Sequence, residues 1–151
     1  MNITDIVTRA AVGNSKVAAQ KDHFLRIQLS NHSALAALAN NTASVRDVDQ
    51  LIAARNMAEA IRSTAHLGNM HKDILIASHA ALIEIGKRLM DTGTPTATAE
   101  EVSALTDLLE LHDAQLEQVT VIQMERAINL IKNRMKSGRV SIIRASKAQP
   151  Q

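Results

Sequence analysis

The chain has 151 residues, no Cys, one aromatic residue (Phe24) and a formal net charge of +2. The lack of Cys excludes disulfides, thiolate metal sites and a Cys nucleophile. The lack of Tyr and Trp argues against stacking platforms for single-stranded nucleic acid, and the scarcity of large strand formers argues against a β-sandwich. A chain of this length supports one domain whose core is filled by Leu, Ile, Val, Met and Ala. We therefore expect an all-α protein, a bundle of four or five helices with a long C-terminal helix. The expected layout is one helical domain over 1–138 and a short, basic, flexible tail over 139–151.

In chain order, the first helix is predicted over 3–11 and stops at Gly13-Asn14-Ser15, where Asn14 or Ser15 caps the next. That second helix reaches about residue 29 or, with an interruption near Asn31, about 39. Asn40-Asn41-Thr42 reads as a turn. Ser44-x-x-Asp47 then opens a helix with a capping box. Leu51, Ala54, Ala58, Ile61, Ala65 and Gly68 recur at three- and four-residue spacing, a stripe of mostly small side chains suited to close helix packing. Gly68 either ends this helix or kinks it. A helix over about 70–91 follows, with a stripe of Leu75, Leu82, Ile85 and Leu89 widened by Ile74, Ala77 and Ala81.

Asp91 to Thr96 is the clearest loop, and Thr98-x-x-Glu101 is a second capping box. No Gly or Pro interrupts the segment from Ala99 to Ser137. A single helix there would be about 60 Å long. Its apolar stripe runs through Val102, Leu105, Leu109, His112, Leu116 and Val119, then drifts to Val121, Met124, Ile128, Ile131 and Met135. A drifting stripe implies a second packing partner, so the latter five residues are assigned to self-association in a homo-oligomer. The alternative is a bent or broken helix inside a monomer.

Charge is segregated along the chain. The first 125 residues hold ten Lys/Arg and fifteen Asp/Glu, a formal −5, whereas the last 26 hold seven basic residues and no acid. Lys132, Arg134, Lys136, Arg139, Arg144 and Lys147 are the candidate contacts to a polyanion such as DNA or RNA, or partners for the acidic body of a neighbouring subunit.

Other chemistry finds little support. His23, His32, His66, His71, His79 and His112 lack the i, i+3 or i, i+4 pairing that a helical metal site needs. Neither Ser78-His79 nor His112-Asp113 can work as a catalytic pair, because sequence neighbours on a helix point apart. No Gly-rich phosphate loop is present. We expect no catalytic residues, no metal and no cofactor, and place His112 on or beside the packing stripe with its nitrogens satisfied. Ser33 to Ile52 has the outline of a helix-turn-helix, yet Asp47 and Asp49 would face phosphates at the start of its second helix. An ordinary hairpin turn is the simpler reading. The N-terminus shows no signal peptide and no apolar run is long enough to span a bilayer, so the expected location is cytoplasmic, without membrane insertion.

Three segments also carry a resemblance. They are Leu109 to Ala127 (LELHDAQLEQVTVIQMERA), Asn31 to Leu38 (NHSALAAL) and Ala53 to Ile61 (AARNMAEAI). Across about residues 31–130 the chain is similar to a loose group of small uncharacterised proteins carried by bacterial phages and plasmids. The resemblance implies an accessory protein of a mobile genetic element and brings no activity with it. The resulting expectation is a non-enzymatic, oligomeric interaction or regulatory protein that binds itself or a host protein. The alternative expectation is a nucleic-acid-binding protein using the basic C-terminus.

Overall fold

A computed structural model describes residues 3–138, with side chains from Lys21 onward. The described residues form five α-helices and one short 3-10 turn, and no strand. The helices are α1 (Ile3–Ala39), α2 (Val45–Ala65), α3 (Lys72–Thr92), α4 (Ala99–Gln118) and α5 (Val121–Lys136). The 3-10 turn, Asn69–His71, lies between α2 and α3. The protein is an all-α bundle.

Capping chemistry sets most of the boundaries. Ser44 and Asp47 form the reciprocal capping box at the start of α2, and Thr98 and Glu101 form the one at the start of α4. The Asn40–Asn41 turn separates α1 from α2, with Asn41 in the left-handed region at φ 57°. α2 ends at Ala65, with His66 left-handed and its N–H donating to the Arg62 carbonyl. Gly68 follows at φ +86°. A Cβ there would stand 3.1 Å from Leu111 Cδ1 and 3.2 Å from Gln115 Nε2, so the position needs both the left-handed backbone and the missing side chain. Gly68 thus breaks the helix, and does not merely kink it.

Three expectations about the helices need correction. α1 is continuous from Ile3 to Ala39 and passes through both Gly13 and Asn31. One Gly inside a helix costs only about 1 kcal/mol relative to Ala, which 37 residues of helix can absorb. The single helix expected over 99–137 is instead two, parted at Val119-Thr120. Val119 is extended (ψ 135°), and Thr120 caps α5 through a third capping box with Gln123. The longest helix is therefore the first, not the last. Finally, Ala77 lies on the exposed side of α3 and Ser78 takes its place in the buried stripe, its hydroxyl donating to the Leu75 carbonyl at 3.1 Å.

The core has two parts. The larger joins the C-terminal half of α1 to α2, α3 and α4 through Leu38, Val48, Leu51, Leu82, Ile85 and Leu105, among others. Ala54 and Ala58 are buried within it, which lets the α2 backbone approach its neighbours closely. The smaller part holds α5, whose Met124 and Ala127 pack with Ala60, Ile61 and Leu116. Arg88 and Glu101 form an ion pair that fastens α3 to α4, and Glu101 also accepts from the Thr98 backbone N–H at 3.0 Å.

Candidate functional site

α5 carries the residues expected from the sequence to mediate self-association. Met124 is buried against α2, Ile128 and Ile131 are half-buried, and Val121 and Met135 are exposed. Among the described residues the α5 helix packs chiefly on α2. Ile122, on the outward side, is 61% exposed. Ile122 also joins Val121, Val119 and Leu116 in a shallow groove against Phe24 and Lys21 of α1. On α1, Leu25 and Leu29 are also exposed. Of these, Leu116, Val119 and Val121 belong to the stripe read from the sequence. Ile122, Leu25 and Leu29 fall off the periodicity used to find the core, and exposure alone singles them out.

The polyanion residues divide. Lys132 and Lys136 are exposed and Arg134 is half-buried at the end of α5. Arg139, Arg144 and Lys147 lie outside the described residues. Arg134 comes close to Arg55 of α2, a residue the sequence had not marked. Burial pushes the Arg55 guanidinium below its usual value, Glu59 opposes this, and Arg134 and Arg62 add to it. Arg62 is held above its usual value chiefly by its hydrogen bond to Glu59, at 2.7 Å. Arg55 Nε is buried without a hydrogen-bond partner. The result is a cationic group of three arginines with one carboxylate on the α2–α5 face.

The third feature is a cavity of about 420 Å³ among α1, α2, α4 and α5. Phe24, Ile27, Met57, Leu116, Met124 and Ile128 supply most of its wall. Three polar residues of the lining, Asn31, Gln50 and His112, are buried or half-buried. Asn31 is fully buried; its Oδ1 accepts from Gln50 Nε2 at 2.8 Å, while its Nδ2 has no partner. A buried donor left unsatisfied costs about 1–3 kcal/mol.

His112 is the third polar residue on the wall. Its Nδ1 lies 3.3 Å from Gln115 Oε1. Gln115 Nε2 donates to the carbonyls of Ala58 and Leu67, each at 3.0 Å, which uses both of its N–H groups and fixes its oxygen as the acceptor. His112 must then carry its proton on Nδ1, leaving Nε2 as an acceptor. Burial holds His112 below its usual value, against smaller opposing effects from Gln115 and Asp113, so it is neutral near pH 7. His112 thus lies on the packing stripe, as expected, with one nitrogen bound.

The remaining polar candidates are scattered. His32 Nε2 of α1 meets Asp113 Oδ2 of α4 at 2.6 Å, a contact between helices that no local spacing signals. Asp47, counted against a helix-turn-helix, spends its carboxylate on the Ser44 N–H and hydroxyl. Among the described residues no three His, Asp or Glu side chains gather as a metal site would require, and no helix is long and apolar enough to cross a membrane.

Compared with protein-family models, with curated proteins and with solved structures, the chain shows no match to any.

Proposed function

We propose that the protein is a non-enzymatic helical interaction protein that assembles with copies of itself through α5 and the adjoining flank of α1. The observation that carries this reading is the exposure of two large apolar side chains on α5, Ile122 at 61% and Met135 at 48%. Exposed apolar side chains are stabilised when a second apolar surface covers them. The resemblance to phage and plasmid proteins supports a role as an accessory factor of a mobile element, with a host protein as a further occupant of the same face.

Assembly couples to folding, so the unfolding midpoint should rise with protein concentration and light scattering should give a mass above that of one chain. Ile122→Asp should return the protein to a monomer with its helix content intact. A wild type that scatters as one chain at every concentration removes the reading.

A second reading has its own observation. The Arg55, Arg62 and Arg134 group extends the basic end of α5 onto α2, giving a polyanion a wider surface than the chain end alone. DNA or RNA binding at roughly 50 mM salt that falls steeply as salt rises, and that weakens on deletion of residues 139–151, would favour it. No binding to duplex or single strand at that salt concentration disposes of it.

A further inference from the structure

We propose that the cavity among α1, α2, α4 and α5 is a binding site for a small uncharged aliphatic molecule carrying one hydrogen-bonding oxygen, a hydroxyl or a carbonyl. The inference is independent of the self-association reading.

Volume is the first argument. Protein interiors are close-packed, and voids larger than a water molecule are few. A cavity of about 420 Å³ exceeds the residue of imperfect packing and falls within the span of roughly 300–1,000 Å³ typical of small-molecule sites. A single water, at about 30 Å³ of liquid volume, would occupy a small part of it.

The wall chemistry sets the class of occupant. The lining is mainly aliphatic, with one aromatic ring, and two of its members, Met57 and Met124, are the side chains best able to reshape around a ligand. That favours a hydrocarbon body. Asn31 supplies the specific polar feature. Its carbonyl is already engaged by Gln50, and its Nδ2 is a buried donor with nothing to donate to. This donor is closed off from the cavity in the structure, so an oxygen on the ligand would accept from it once the Asn31 amide turns toward the cavity. The tautomer forced on His112 leaves Nε2 as an acceptor on a residue of the same wall, so a hydroxyl has the means to satisfy both. The wall includes no Lys or Arg, and its carboxylate, Glu125, disfavours an anion. Exposed His23, Ala53, Val121 and Glu125 mark the mouth.

The test uses the full chain with three six-carbon probes, 1-hexanol, n-hexane and sodium hexanoate. Saturable binding is followed through the Phe24 ring resonances and the unfolding midpoint. Hexanol should bind about tenfold more tightly than hexane, equivalent to about 1.4 kcal/mol, and more tightly than hexanoate. In Asn31→Leu, which removes the orphaned donor, the preference for hexanol over hexane should fall to within about twofold, since the recovered hydrogen bond is its source. Ala53→Trp, at the exposed mouth, should abolish binding of all three and serves as the check if Asn31→Leu does not fold. Equal affinity for hexanol and hexane in the wild type, a preference that survives Asn31→Leu, tighter binding of hexanoate, or binding unaffected by Ala53→Trp would each overturn the proposal.

Discussion

Gln115 of α4 reaches across the bundle and donates to the backbone carbonyl of Ala58 in α2 at 3.0 Å. The same amide nitrogen holds the Leu67 carbonyl in the α2–α3 connection, and its oxygen accepts from His112. One side chain thus fixes the separation of two helices, the path of the chain that leaves one of them and the tautomer of a buried imidazole. Gln115→Leu keeps the volume but leaves the Leu67 carbonyl and the His112 N–H without partners. Urea denaturation should show a loss of about 2–4 kcal/mol, two unsatisfied groups at 1–3 kcal/mol each with partial relaxation.

Gly68 lies directly against this network. Gly68→Ala forces an L side chain into the left-handed region, costing about 1–2 kcal/mol, and sets a methyl against Leu111 and Gln115. Gly93, also left-handed at φ +76°, has open space where its Cβ would be. Thermal unfolding should therefore show Gly68→Ala as the more damaging of the two substitutions, because it carries strain and crowding together.

Thr120→Val removes the side-chain oxygen that accepts from the Gln123 N–H at 3.2 Å while keeping a β-branched shape. The expected cost is about 1 kcal/mol. Amide hydrogen exchange should locate it: protection falls across Val121–Lys136 and stays near the wild-type level in α3. Uniform loss of protection through all five helices would mean that α5 has no independent opening.

Burial lowers the proton affinity of His112 and, less deeply placed, of His79. In the unfolded chain both titrate at the ordinary histidine value of about 6.5. The unfolded state therefore binds more protons than the native state as pH falls through that range, and stability declines with it. This contribution is fully present above the unfolded value and is lost below it. Denaturation curves between pH 7.5 and 5 should show the decline, and His112→Gln, which cannot protonate, should reduce it to the part that His79 contributes.

How much of this was legible in the sequence depended on the range of the interaction. Ser44 with Asp47 and Thr98 with Glu101 are contacts over three residues, and both helix starts were read correctly from them. Thr120 with Gln123 is the same local signal, but it stands in a stretch without Gly or Pro, and an unbroken helix seemed to follow. The drift of the apolar stripe near Val119 was real. Its cause is a change of axis between α4 and α5, where a continuous helix with a second partner had been inferred. Gly13 misled in the opposite direction, because a breaker acts only where nothing else favours continuation. Asn31 with Gln50, His32 with Asp113 and Gln115 with Ala58 join residues 19, 81 and 57 positions apart. No periodicity reports such contacts, and one of them, Asn31 with Gln50, lies on the cavity wall.

Phe24 is the one aromatic residue among Phe, Tyr and Trp in the whole chain, and it lies on the cavity wall. Its ring protons have no Tyr or Trp companions in the spectrum, so they watch that interior space without labelling. A tryptophan introduced anywhere else would emit against a dark background. The scarcity of aromatics that made the core depend on many small aliphatic contacts thus gives the molecule a built-in reporter at the location where a guest would enter.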